Sequence, residues 1–227
     1  MYVVLTGDLK SSKKIKDRAK IQEKLKGALK TINKRFSDVI IADFVIVGGD
    51  GFQGMISSPA HISDIYYLLF ENIEHPFYLG IGIGEISTNL SKNVAEMDGR
   101  AFHFASEALE EAKKKNKWIK LKSGWESNNI LACLLNFITE VMWDWSKRQK
   151  DVIMYYRKMK NKKNNVTLEE ISANIGIKKQ TLSKILKRGK YPLLEDAEKT
   201  IVNFVSRKWL TEENKPKMAD RKDTDDL

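Results

Sequence analysis

The chain has 227 residues, 42% hydrophobic and 31% charged, with 40 Lys+Arg against 30 Asp+Glu and a single cysteine. That length holds one large core or two small ones, one cysteine excludes a disulfide framework, and no apolar run reaches about 18 residues. A membrane span and a signal peptide are therefore not expected, and the cytoplasm is the expected location. The charge is uneven: residues 1–146 carry 19 Lys+Arg and 18 Asp+Glu, whereas residues 147–227 carry 21 and 12. Clustered cations attract polyphosphates through counterion release, so a nucleic-acid partner is expected for the second part and not the first.

In chain order, Met1–Leu5 reads as a short buried strand ending in the turn Thr6-Gly7-Asp8. From Ile15 to Phe36 apolar residues recur every three or four positions, the period of a helix with one buried face. Val39–Val47 and Phe52–Ser57 are strands of a hairpin turned by Gly48 to Gly51. Ala60–Ile73 is a second helix. Phe77–Thr88 is a fourth strand whose Gly80, Gly82 and Gly84 let another backbone approach closely. Ala101–Lys115 is a third helix. Leu131–Lys160 reads as one or two helices, with Trp143, Trp145, Tyr155 and Tyr156 in a core or interface and Cys133 as a small core residue. Lys160–Asn165 is polar enough to be a linker, and the residues after Leu210 have the composition of a flexible tail.

Strand, helix, strand, strand, helix, strand is the split βαβ order of ferredoxin-like and palm domains, an antiparallel sheet with helices on one face. The expected class is α+β, with an all-α unit following the sheet. The expected divisions are a palm-like domain over 1–125, a helical connector over 126–160, a helix-turn-helix over 161–210 and a tail over 211–227.

Val166–Gly189 carries the clearest motif. Thr167 and Glu170 form a capping box ahead of Leu168, Ile171 and Ile175. The first helix stops at Gly176 and a second starts near Lys178, with Ile177, Leu182 and Ile185 facing back and small Ser172 and Ala173 allowing a close crossing. In a helix-turn-helix the second helix enters the major groove of duplex DNA. Its outward residues here are Lys178, Lys179, Gln180, Thr181, Ser183, Lys184, Lys187 and Arg188. Gln180 suits base edges, while Lys184, Lys187 and Arg188 suit phosphates. A homodimer is expected, because one such motif rarely supplies enough specific affinity.

In the N-terminal half, Asp8 follows the first strand and Asp50 lies in the hairpin turn, so a split βαβ sheet brings the two carboxylates close. Such a pair favours a hard divalent cation, Mg²⁺ or Mn²⁺, which nucleotide phosphates complete. Lys10, Ser11 and Ser12 add ammonium, hydroxyl and backbone N–H groups ahead of a helix N-terminus, where phosphate is favoured, and Gly48 and Gly49 flank the pair.

Val4–Ser12, Asp17-Arg18, Gly48–Gly54, Gly80–Thr88, Met97–Phe102, Glu107-Ala108-Leu109, Leu134-Leu135-Asn136 and Trp145–Gln149 together resemble the SatD family over nearly the whole chain. The N-terminal half of that family is similar to the palm domains of nucleotide cyclases, GGDEF diguanylate cyclases and CRISPR-type polymerases. The resemblance implies Asp8 and Asp50 as metal ligands and catalytic acids, the Leu9 carbonyl as a further ligand, and Asp98 and Arg100 near the nucleotide. It also implies a second acid after Asp50, where this chain has Gly51. Loss of that carboxylate weakens charge neutralisation while leaving room for a nucleotide. Three readings follow: a DNA-binding regulator whose palm senses a nucleotide or metal-nucleotide, a metal-dependent nucleotidyltransferase or cyclase, and a ligand-free scaffold.

Overall fold

The computed structural model describes residues 1–163 and 165–213. Its strands are β1 (Tyr2–Leu9), β2 (Ile40–Val47), β3 (Gly51–Ile56), β4 (Phe77–Gly84) and β5 (Ile119–Lys122). Its helices are α1 (Arg18–Arg35), α2 (Ile62–Ile73), α3 (Arg100–Lys114), α4 (Asn128–Trp143), α5 (Lys147–Lys162), α6 (Leu168–Asn174), α7 (Lys179–Arg188) and α8 (Tyr191–Glu213).

The sheet order is β2-β3-β1-β4-β5. The first four strands pair antiparallel in the split βαβ arrangement, and β5 joins β4 in parallel after the α3 crossover. Alternation along β1 separates the two faces. Val3, Leu5 and Leu9 join α1 and α2 in the main core, whereas Val4 packs with Met55, Ala101 and Ala105 under α3. The helices of the split βαβ unit thus share one face, and α3 covers the other.

Close backbone approach fixes α3. A Cβ at Gly82 would stand 2.0 Å from the Ala101 carbonyl oxygen and 2.4 Å from the Ala105 nitrogen. Backbone cannot swing aside as a side chain does, so Gly82→Ala is expected to lower stability by about 1–3 kcal/mol, read as a lower denaturation midpoint. A midpoint matching wild type would show that α3 is not held this closely.

Several boundaries differ from the sequence reading. Thr6, Gly7 and Asp8 belong to β1 and make no turn. Gly7 is required by packing, since its Cβ would lie 2.2 Å from the Phe52 ring. β4 stops at Gly84, and α5 continues through the expected linker as far as Lys162. Cys133 is exposed, because it lies on the outward side of α4 with Ile130, Leu134 and Phe137, while Leu131, Leu135 and Ile138 take the inward side. Part of the expected tail, 214–227, lies outside the described residues. No helix among the described residues is long and apolar enough to cross a membrane.

One core runs from the sheet into the C-terminal helices, reaching Ile171, Leu182, Leu186, Ile201 and Trp209. The divisions expected at 125/126 and 160/161 therefore fall within continuous packing. Trp143 donates to the Tyr66 hydroxyl, Lys150 to the Phe70 carbonyl and Trp145 to the Gly189 carbonyl. Arg157 of α5 binds Asp64 of α2 at 2.8 Å and Glu198 of α8 at 2.7 Å, with its guanidinium 3.7 Å from the Tyr67 ring centroid.

Candidate functional site

The end of β1 and the β2–β3 hairpin form one rim of the sheet. Asp8 pairs in register with Gly51 on one side and Tyr78 on the other, and the Leu9 N–H donates to the Asp50 carbonyl at 3.2 Å. This places Asp50 next to the end of β1, as the split βαβ order requires. Gly48 and Gly49 make the turn with φ of 61° and 89°. Gln22 of α1 donates to the Gly49 carbonyl at 2.9 Å, and the Arg18 guanidinium lies 3.7 Å from the position a Gly49 side chain would occupy. Ser11 adopts a left-handed conformation and opens a single helical turn at Ser12–Lys14 before α1.

Two cations that the sequence reading did not assign complete this rim. Lys113, at the end of α3, binds Asp8 Oδ2 at 2.7 Å, and Arg18 stands beside the hairpin. In sequence Lys113 is one of three consecutive lysines, so nothing marks it out. The donor set fits the mode in which Mg²⁺ takes one or two carboxylates together with phosphate oxygens, rather than an all-protein cage. Among the described residues no three His, Cys, Asp or Glu side chains are grouped to hold a metal. An incoming cation would compete with the Lys113 ammonium for Asp8.

Lys10 does not point into open solvent. Its ammonium lies 4.1 Å from the Trp118 ring centroid and 4.7 Å from that of Tyr78, and donates to Asn116 Oδ1 at 2.9 Å. Burial lowers its pKa, and Glu140 opposes that shift.

Asp98 and Arg100 are not brought to this rim. Asp98 accepts from the Gly99 N–H, and its carbonyl accepts from Ser87 just beyond β4. Gly84 pairs with Tyr2, six residues before Asp8, which is roughly 20 Å along the strand. The passage from sheet to helix that suggested a nucleotide contact occurs at the far end of the sheet.

In the C-terminal helices the Thr167–Glu170 capping box forms in both directions. A tight turn with Gly176 at φ 66° joins α6 to α7. Leu182 and Leu186 are buried, and Gly189 seats the end of α7 against Ile153 and Trp145. Of the residues allowing the crossing, Ser172 is buried and Ala173 is exposed. Lys178, Lys179, Gln180, Ser183, Lys184, Lys187 and Arg188 are exposed, and Thr181 is half-buried. Lys179 is tied to Glu169 of α6. Gln180, Lys184, Lys187 and Arg188 recur at helical spacing and so share one stripe.

The fold defines an α+β protein in which a five-stranded sheet is followed by a helical unit. The chain belongs to the SatD family, whose sequence model matches residues 2–200. No curated protein matches it in sequence.

Proposed function

We propose that this SatD-family chain is a DNA-binding regulator, with α6 and α7 as a helix-turn-helix output and the Asp8–Asp50 rim as a nucleotide or metal-nucleotide input. The observation that carries the output is the α7 stripe. Gln180, Lys184, Lys187 and Arg188 are exposed together on a helix whose other side is locked by Leu182, Leu186 and Gly189. A rigid helix with donors on its free side and apolar residues on its fixed side is what major-groove docking needs. Lys178 and Gln180 start the helix, where base edges are reached, and Lys187 and Arg188 end it, where phosphates are. The test is fluorescence anisotropy with a labelled duplex over a range of salt. Affinity should fall steeply as salt rises. Absence of duplex binding at 50 mM salt would end this reading.

Support for the input comes from Asp8 near the end of β1 and Asp50 in the adjoining hairpin turn, with Lys113 on Asp8, Arg18 beside the hairpin and Lys10, Ser11 and Ser12 in the segment that follows Asp8. Bound there, Mg²⁺ or Mn²⁺ supplies charge neutralisation for phosphate oxygens. Sensing is favoured over turnover because Gly51 stands where a second acid would assist and Asp8 is already paired with Lys113. A nucleoside triphosphate with Mg²⁺ at 100 times its Kd should stabilise the fold by about 2.7 kcal/mol in a thermal melt, and Asp50→Asn should abolish that gain. Release of pyrophosphate that depends on Asp50 would replace the sensor with an enzyme. A melt unmoved by any nucleotide would leave the rim without a ligand.

A further inference from the structure

Beside the rim, where β5 meets α4, the surface holds an open cavity of about 600 Å³. α4 packs on the free edge of β5: Asn136 accepts from the Ile119 N–H and donates to the Ile119 carbonyl, so the edge groups of Ile119 are satisfied by one amide. The wall next to that amide remains open. It combines the Trp118 ring with the apolar Ala132 and Phe137, the latter 67% exposed and without a covering partner.

Charge in the cavity is one-sided. Lys10, Lys117 and Lys120 line it, against the single carboxylate of Glu140, which already accepts a hydrogen bond from Trp118 Nε1. The Trp118 ring is held in place by stacking on Trp143, with centroids 5.2 Å apart and planes at 20°. Its π surface is met by the Lys10 ammonium, a flexible group that can leave. A cavity of this volume, with a fixed aromatic platform and three ammonium groups, suits a planar ligand that carries negative charge.

Position narrows the class. Asp8 pairs with Tyr78, whose hydroxyl donates to Asn116 Oδ1, and the same oxygen accepts from Lys10 above Trp118. The rim and the cavity are thus linked by contact. β1 and β5 are separated only by β4, a distance of about 10 Å that a mononucleotide spans from phosphate to base.

We infer that the cavity takes the base of a nucleotide, stacked on Trp118, while its phosphates lie along Lys10 toward the Asp8–Asp50 rim. This rests on the nucleotide reading of that rim. Entry of the base displaces the Lys10 ammonium from Trp118 and frees it for a phosphate.

The cavity contains its own reporter. Cys133 lines it, is exposed, and is the only cysteine in the chain. The experiment follows alkylation of Cys133 in the whole protein by uncharged iodoacetamide, with ATP, GTP, CTP or UTP present, with and without Mg²⁺, and with inorganic tripolyphosphate as the control lacking a base. At least one nucleotide should slow alkylation about 10-fold while tripolyphosphate does not. Trp118→Ala should remove the protection and weaken binding by about 10-fold or more, and Trp118→Phe, which keeps a ring, should retain most of it. A nucleotide that raises the melting temperature but leaves the Cys133 rate unchanged overturns the cavity inference and leaves the rim reading standing. Protection that persists without metal and in Asp50→Asn upholds the cavity and removes the metal from the rim. Neither a melting shift nor protection by any of the four overturns both.

Discussion

Replacing Lys184, Lys187 and Arg188 together by alanine is expected to weaken duplex binding on the order of 100-fold at 0.15 M salt. Each phosphate contact contributes about 0.9 to the slope of log affinity against log salt, so three lost contacts lower the slope by about 2.7. Extrapolated from 1 M to 0.15 M salt, that slope corresponds to roughly two decades of affinity. All three side chains are exposed, so the melting temperature should barely move. Gln180→Ala should behave differently, narrowing the preference between duplex sequences while leaving the slope in place. An unchanged slope in the triple variant would remove α7 from the DNA interface.

The second large effect is on stability. Arg157→Met is expected to cost about 3–5 kcal/mol, because it leaves Glu198 buried without its partner. For a chain of this length that is a fall of roughly 6–20 °C in melting temperature. Adding Glu198→Leu should restore much of the loss, since the uncompensated carboxylate goes with the guanidinium. Burial raises the Glu198 pKa above its ordinary value of 4.5, and Arg157 opposes the rise. A carboxyl whose folded pKa lies above its unfolded one holds more protons when folded, so stability falls as pH rises through that interval. Removing Arg157 raises the folded pKa further. The deficit of Arg157→Met should therefore be larger at pH 8 than at pH 5. Equal deficits at both would mean that Glu198 is not the group left exposed to the loss.

Arg157 also shows what the sequence leaves illegible. In the chain it is one cation among many in a basic helix, and only folding brings Asp64 and Glu198 to it from 93 and 41 residues away. Features written into short stretches are legible. The period of the first helix, the capping box at Thr167 and the closely packed glycines of β4 all act locally, and the order of the first six elements follows from them. β5 is not legible, because Ile-Lys-Leu-Lys becomes a strand through parallel pairing with β4 and the amide of Asn136 on its other edge. Gly7 misleads, since a glycine between a strand and an aspartate reads as a turn when its purpose is to admit the Phe52 ring.

The same division holds for the site. That the hairpin turn holding Asp50 adjoins the end of β1 holding Asp8 is legible, because it follows from strand order alone. Lys113 and Arg18 are not, because each reaches the rim from a separate helix. Asp98 and Arg100 follow from an analogy of sequence position, and β4 runs away from the rim, so its passage into α3 lies at the opposite end of the sheet.

As the proposed input and output of one device, the rim and α7 are joined through a continuous core, so a ligand at the rim should alter duplex binding at α7. The most direct measurement is the duplex affinity of the whole protein at fixed salt, with and without a saturating Mg²⁺-nucleotide. A change of about 5-fold or more is expected, the scale of a coupling free energy of at least 1 kcal/mol, together with its loss in Asp50→Asn. Identical affinities under both conditions, with the nucleotide shown by its melting shift to be bound, would contradict it.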